Sequence, residues 1–115
     1  MAKFEARTST GPGRVTVTLS GECDLSAREH LTAVLLDALS RADAVFVDVA
    51  PLTFLDSSGV HSLITAHHAA KNTGARVYVV GATGPVEAVL DLTGVGDLLR
   101  APAADATAVE ERRHV

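Results

Sequence analysis

The stretch AVFVDVA, residues 44–50, is apolar throughout except for Asp48, and ARVYVVG, residues 75–81, repeats the pattern. Runs of this length and β-branched content fit strands buried on both faces, because a strand with one wet face would alternate apolar and polar residues instead. Between them, SSGVHSLITAHHAAKNTG places Val60, Leu63, Ile64, Ala66 and Ala70 near helical spacing and ends in Lys71, Asn72 and Gly74, which suit a helix C-terminus. Strand, helix and strand in this rhythm predict parallel strands joined by a right-handed crossover.

The flanking segments extend this plan. KFEART and RVTVTLSG are rich in β-formers around the turn signal STGPG, which predicts an N-terminal hairpin. Ser26 followed by Glu29 has capping-box spacing, and Leu31, Val34, Leu35, Ala38 and Leu39 recur at helical intervals, so a helix is expected over about 26–40. PLTFLD reads as a short connection, and TGPVEAVLDLTG as a helix with Pro85 in its first turn and Gly94 past its end. After Gly96 the signal fades: DLLRAP fits a short edge strand, and ADATAVEE a last helical turn or two before the charged ERRHV. The expected fold is α/β, with a mixed, mostly parallel sheet of four to five strands, an N-terminal hairpin and three to four covering helices. It occupies one domain over 1–115, with its core at about 3–100 and a short tail or final helix at 101–115.

Composition removes several function classes. The 115 residues are 47% hydrophobic, enough for a core, yet only 3% aromatic with no Trp, so stacking platforms for single-stranded nucleic acid are missing. The net charge is -4 and the ten Lys and Arg are scattered, which argues against direct nucleic-acid binding. Cys23 is the single cysteine, so an internal disulfide and a multi-cysteine zinc site are excluded, and a small buried hydrophobe is favoured over a reactive thiol. MAKFEARTSTGPGR has no apolar core of signal-peptide length, and charges and Gly interrupt every later apolar run, so no membrane insertion and a cytoplasmic location are expected.

FLDSSGV, residues 54–60, then stands out as a strand-to-helix junction carrying a carboxylate and two hydroxyls. Asp56, Ser58 and His61 supply the residue types of a hydrolytic triad, but Asp56 precedes the helix that carries His61, and no G-x-S-x-G elbow is present. His61, His67 and His68 share the helix without the i, i+4 spacing or the H-E-x-x-H pattern of a metal site, so histidines facing solvent or a partner are the expectation and no metal or other cofactor is implied. GATGP, residues 81–85, lacks the Gly-Lys-Ser or Gly-Lys-Thr of a nucleotide-binding loop. A helix N-terminus does accommodate negative charge, which makes Ser57 and Ser58 candidate phosphorylation sites, while ordinary capping is the commoner reason for serines there. Asp56 in turn reads as a helix cap and as a charge that would repel a phosphate beside it.

The whole set of segments resembles the STAS domain family, specifically its bacterial anti-sigma factor antagonists. The resemblance covers roughly residues 3–100: the hairpin, VTLSGECDLSAREHL, VFVDVAPLTFLDSSGV, VYVVG and VLDLTGVGDLL. It implies that Ser58, the second serine of Asp-Ser-Ser-Gly, is phosphorylated, that Ser57 is its neighbour and cap, and that Asp24 and Asp56 flank it. Gly59 and His61 complete the implied partner-facing set; many relatives carry glycine where this chain has His61. The family role is partner switching. The unphosphorylated antagonist binds an anti-sigma factor that is also a serine kinase of the histidine-kinase-like ATPase type, which frees a sigma factor. Phosphorylation by that kinase releases the antagonist, and a PP2C-type phosphatase resets it.

In that role the chain is a regulator and a substrate, not an enzyme. One alternative within the fold is a STAS subunit of a lipid-transport ATPase; a further one is a small serine hydrolase using Ser58 and His61.

Overall fold

Strands β1 (Glu5–Gly11) and β2 (Arg14–Cys23) form the predicted antiparallel hairpin, and the computed structural model describes residues 3–102. The turn is tighter than STGPG suggests. Gly11 pairs with Arg14, so Pro12 and Gly13 are its central residues, and Gly13 takes a φ of 70°, which a residue lacking Cβ adopts freely.

From the hairpin the sheet grows by parallel pairing: β2 with β3 (Ala44–Asp48), and β3 with β5 (Arg76–Val80), in the order β1-β2-β3-β5. PLTFLD is more than a connection. Its residues Leu52–Leu55 form β4, which pairs in parallel with Gly21–Cys23 at the end of β2. The reason is one of length, since β2 runs on past its last pairing with β3, Thr18 with Asp48, and its remaining backbone groups need partners. A register shift between Gly21 and Glu22 accommodates the change of partner. Asp48, 2% exposed, turns the chain from β3 towards β4 by accepting the Ala50 N–H at its Oδ1.

Helix α1 (Arg28–Leu39) follows a 3-10 turn over Leu25–Ala27, so the predicted capping box does not form. Asp24 caps this turn instead, accepting the Ser26 N–H, because the helical path begins two residues before Ser26 would require. Helix α2 (Ser57–Thr73) ends as expected at Gly74, which takes a left-handed φ of 77°. Helix α3 (Gly84–Thr93) has Pro85 in its first turn, and a short α4 (Val95–Leu98) succeeds it. DLLRAP is therefore not an edge strand: its first residues are helical, Leu99 is a buried anchor, and Arg100 makes a single parallel bridge to Val79. ADATAVEE and ERRHV lie outside the described residues.

On one face of the sheet Val15, Val17, Leu19, Val45 and Val47 pack with Leu31, Leu35, Leu63 and Leu90 of the helices. Each such side chain contributes about 1.5–3 kcal/mol on burial. The opposite face carries Phe46, Val80 and Tyr78, with the Arg14 guanidinium 3.8 Å over the Phe46 ring. Residues of β3 are thus buried on both faces, as the unbroken apolar run predicts. One polar clip ties α1 to α2: buried Ser62 accepts the Thr32 hydroxyl at 2.9 Å and lies 3.2 Å from the Arg28 carbonyl.

Candidate functional site

Strands β2 and β4 run parallel and stop together, with Cys23 beside Leu55 and the Asp56 N–H donating to the Cys23 carbonyl at 3.2 Å. The next residue of each strand, Asp24 and Asp56, is consequently brought to the same corner of the sheet. Both then do the same local job. Asp24 Oδ1 accepts the Ser26 N–H at 3.0 Å, and Asp56 Oδ1 accepts the Ser58 N–H at 2.9 Å. Aspartate suits both places, because its short carboxylate folds back onto an amide that the first helical turn leaves without a partner. Asp56, rather than Ser57, is the cap of α2.

Hydrogen bonds to the carboxylate stabilise its charged form. The Ser26 hydroxyl, 2.6 Å from Asp24 Oδ1, and then the Ser26 amide hold the Asp24 carboxyl below the usual carboxylate range. Asp24 therefore keeps its negative charge at this corner.

Helix α2 begins at the open side of this corner. Ser57 is exposed, Ser58 half-buried, Gly59 buried and His61 exposed. Gly59 is buried because the first turn of α2 lies directly on the ends of β2 and β4: a Cβ there would stand 2.4 Å from Leu55 Cδ1 and 2.8 Å from Cys23 Sγ. Cys23 is fully buried, and its thiol is pushed up from 9.0 to about 11 by burial, then by the Asp56 and Asp24 charges. The favoured reading of Cys23 as a small buried hydrophobe agrees with this environment.

Asp24, Asp56, Ser58 and Gly59 are thus gathered in one place. His61 faces along a groove between α1 and α2, where Arg28, Glu29 and Leu36 also line a cavity of about 420 Å³. A triad is not assembled. Asp56 is occupied by a backbone amide, and no hydrogen bond joins the Ser58 hydroxyl to His61 among the described residues. Nor do any three His, Cys, Asp or Glu side chains cluster as a metal site among those residues.

Sequence reasoning missed four contributors. Cys23 packs beneath Gly59, Ser62 secures the first turns of α2 to Arg28, and Leu25 and Phe54 expose apolar side chains within two residues of Asp24 and Asp56 in the chain. The parallel between Cys-Asp-Leu-Ser at 23–26 and Leu-Asp-Ser-Ser at 55–58, two apolar residues each followed by an aspartate cap, is the signal from which the first could have been read.

Residues 6–100 match a family model described as "Mlab, STAS domain". Among solved structures, the fold is similar to the anti-sigma factor antagonist SpoIIAA in its unphosphorylated form, at 22% identity over 98% of each chain with a TM-score of 0.75. It is also similar to an anti-sigma factor antagonist from Mycobacterium paratuberculosis, at 22% identity over 93% of each chain with a TM-score of 0.78. The Bacillus SpoIIAA structure in its phosphorylated form gives 21% identity over 92% of this chain and 97% of that one, with a TM-score of 0.67. The solved structures share this overall fold, and the family model matches the chain from the hairpin through α4: this protein belongs to the STAS domain family.

Proposed function

We propose that this protein is an anti-sigma factor antagonist that works by partner switching, with Ser58 as its phosphorylation site. The observation that carries the reading is the position of Ser58, half-buried in the first turn of α2 at a corner that already holds the Asp24 and Asp56 carboxylates. A phosphoserine adds a charge of about -1.5 to -2 near neutral pH. The free amides of the helix start tolerate that charge within the domain. A partner docked over the corner would instead meet a dianion reinforced by two carboxylates, and would lose affinity through repulsion and desolvation. Release follows from local electrostatics, without refolding.

The unphosphorylated surface suits a protein partner. Leu25 is 67% exposed and directly follows Asp24, and Phe54 is 45% exposed on β4, two residues before Asp56. In this reading the partner is an anti-sigma factor serine kinase of the histidine-kinase-like ATPase type, and a PP2C-type phosphatase removes the phosphate. The solved relatives described as anti-sigma factor antagonists, one of them in a phosphorylated form, support it. Within the scheme the chain catalyses nothing itself.

The match over residues 6–100 to the family model described as Mlab supports one competing role, a STAS subunit of a lipid-transport ATPase. The intact mass of the protein recovered from its own host, with fragment mapping, separates the two. Phosphate on Ser58 and capture of a serine kinase are expected. An unmodified chain under every growth condition, recovered with a transporter-type ATPase, would overturn the proposal.

A further inference from the structure

At the far end of α2 from Ser58, a cavity of about 270 Å³ opens between the last turns of that helix, the start of β5 and α4. His67 and Lys71 of α2 and Arg76 of β5 line it, with Tyr78 and Leu98 forming an apolar side. The His68 ring lies 5.6 Å from that of His67. None of the ion pairs among the described residues involves Lys71 or Arg76. In a chain of net charge -4, an uncompensated cationic hollow fed by two elements is not a product of composition.

Complementing the helix dipole accounts for Lys71, which stands in the last turn of α2. It does not account for Arg76, which comes from a strand. At the carbonyl end of α2 the Ala70 carbonyl receives the Gly74 and Ala75 N–H groups and the Thr73 hydroxyl, and the Lys71 and Arg76 cations stand over that end. No acid among the described residues lines the hollow; Asp43, whose backbone carbonyl receives the Arg76 backbone N–H, belongs to the adjoining turn, and Asp97 of α4 is paired with Arg100.

We propose that this cavity is a binding site for a small phosphorylated molecule, with Lys71 and Arg76 holding the phosphate oxygens, His67 donating a third hydrogen bond, and Leu98 and Tyr78 against the apolar remainder. A guanidinium fork and an ammonium suit a phosphate group, and a concave hollow of this size suits a small molecule better than a flat surface. Burial, followed by the His68, Lys71 and Arg76 charges, holds the His67 imidazole below its ordinary range. A bound dianion reverses the sign of that local field. Binding is therefore expected to raise the His67 pKa, take up protons and tighten as the pH falls.

The test is a titration of the isotopically labelled full chain with inorganic pyrophosphate, followed by amide and imidazole NMR at an ionic strength held constant with sodium chloride. Saturable shifts centred on His67, Lys71, Arg76, Tyr78 and Leu98 are expected, with an upward shift of the His67 pKa. Lys71→Ala combined with Arg76→Ala should weaken the affinity at least about tenfold, and Arg76→Lys should restore part of it. Both positions are exposed, so the variants keep the fold. No saturable shift, shifts reproduced by sodium chloride alone, or unchanged affinity in the double variant would each overturn the proposal. So would binding confined to phosphatidylglycerol vesicles with no response to pyrophosphate, which would assign the patch to a lipid surface.

Discussion

Cys23 Sγ fills the space that a side chain at Gly59 would need, 2.8 Å from where its Cβ would stand. Leu55 Cδ1 closes the same space at 2.4 Å. This contact seats the first turn of α2 on the ends of β2 and β4, and so sets how Ser58 is presented above Asp24 and Asp56. It gives the glycine of Asp-Ser-Ser-Gly a packing reason independent of any partner.

Gly59→Ala is accordingly expected to destabilise the fold by about 1–3 kcal/mol, the usual range for an overpacked core, despite alanine's better helix propensity. Combining it with Cys23→Ala removes the sulfur from the clash and should recover part of the loss. A double-mutant cycle in urea unfolding reads the coupling, and strict additivity would show that the two residues do not press on each other.

Asp56→Ala should lower stability by about 0.5–2 kcal/mol through loss of the cap on Ser58 N–H, whereas Asp56→Asn keeps an acceptor and should stay close to the parent. Asp56→Asn also removes a charge that raises the Cys23 pKa, so the thiol should titrate lower than about 11 in that variant. Thermal unfolding and thiol titration check the two halves separately.

Native Cys23 should resist alkylation near neutral pH and react only when the chain unfolds, since it is buried and its thiol is pushed up to about 11. The sign for stability follows. The folded state holds the thiol proton more tightly than the unfolded chain, so this contribution is complete below about 9 and is lost as the pH rises from 9.0 towards 11. Urea midpoints measured across that window in the parent and in Cys23→Ala should converge if the thiol is the source.

Ser62→Ala leaves the Thr32 hydroxyl without its acceptor between α1 and α2, with an expected loss of about 1–2 kcal/mol. Thr32→Val added to Ser62→Ala should cost less than the sum of the single changes, because no orphaned group then remains. Chemical denaturation of all three variants measures this.

Leu25→Ser and Phe54→Ser should each weaken binding of the proposed kinase partner by about tenfold or more while leaving stability nearly unchanged, since both side chains are already exposed. Calorimetry against the purified partner gives the first quantity and unfolding the second. Unchanged affinity in both variants would move the docking surface away from this corner.

Much of this architecture was legible in the sequence because its signals are local. The apolar runs around Phe46 and Tyr78, the helical spacing from Val60 to Ala70 and the stop at Gly74 all act within a few residues. Strand β4 escaped notice because LTFL is short, follows Pro51, and becomes a strand only when the free end of β2 supplies its hydrogen bonds. The capping box at Ser26 and Glu29 was a plausible local pattern that lost to another, the Asp24 cap, since the chain turned helical earlier than the apolar spacing indicated.

The sequence by itself determined that this chain builds an α/β fold with a strand-to-helix junction at Asp56 and two serines at the start of the helix, because periodicity and caps are written in neighbouring residues. Only the tertiary structure decided how Asp24 meets that junction, through the parallel pairing of Cys23 with Leu55, that Cys23 fills the space under Gly59, and that Arg76 joins His67 and Lys71 in one hollow. Those juxtapositions link residues remote in the chain, and parallel pairing and close packing of distant elements, rather than any local preference, bring them together.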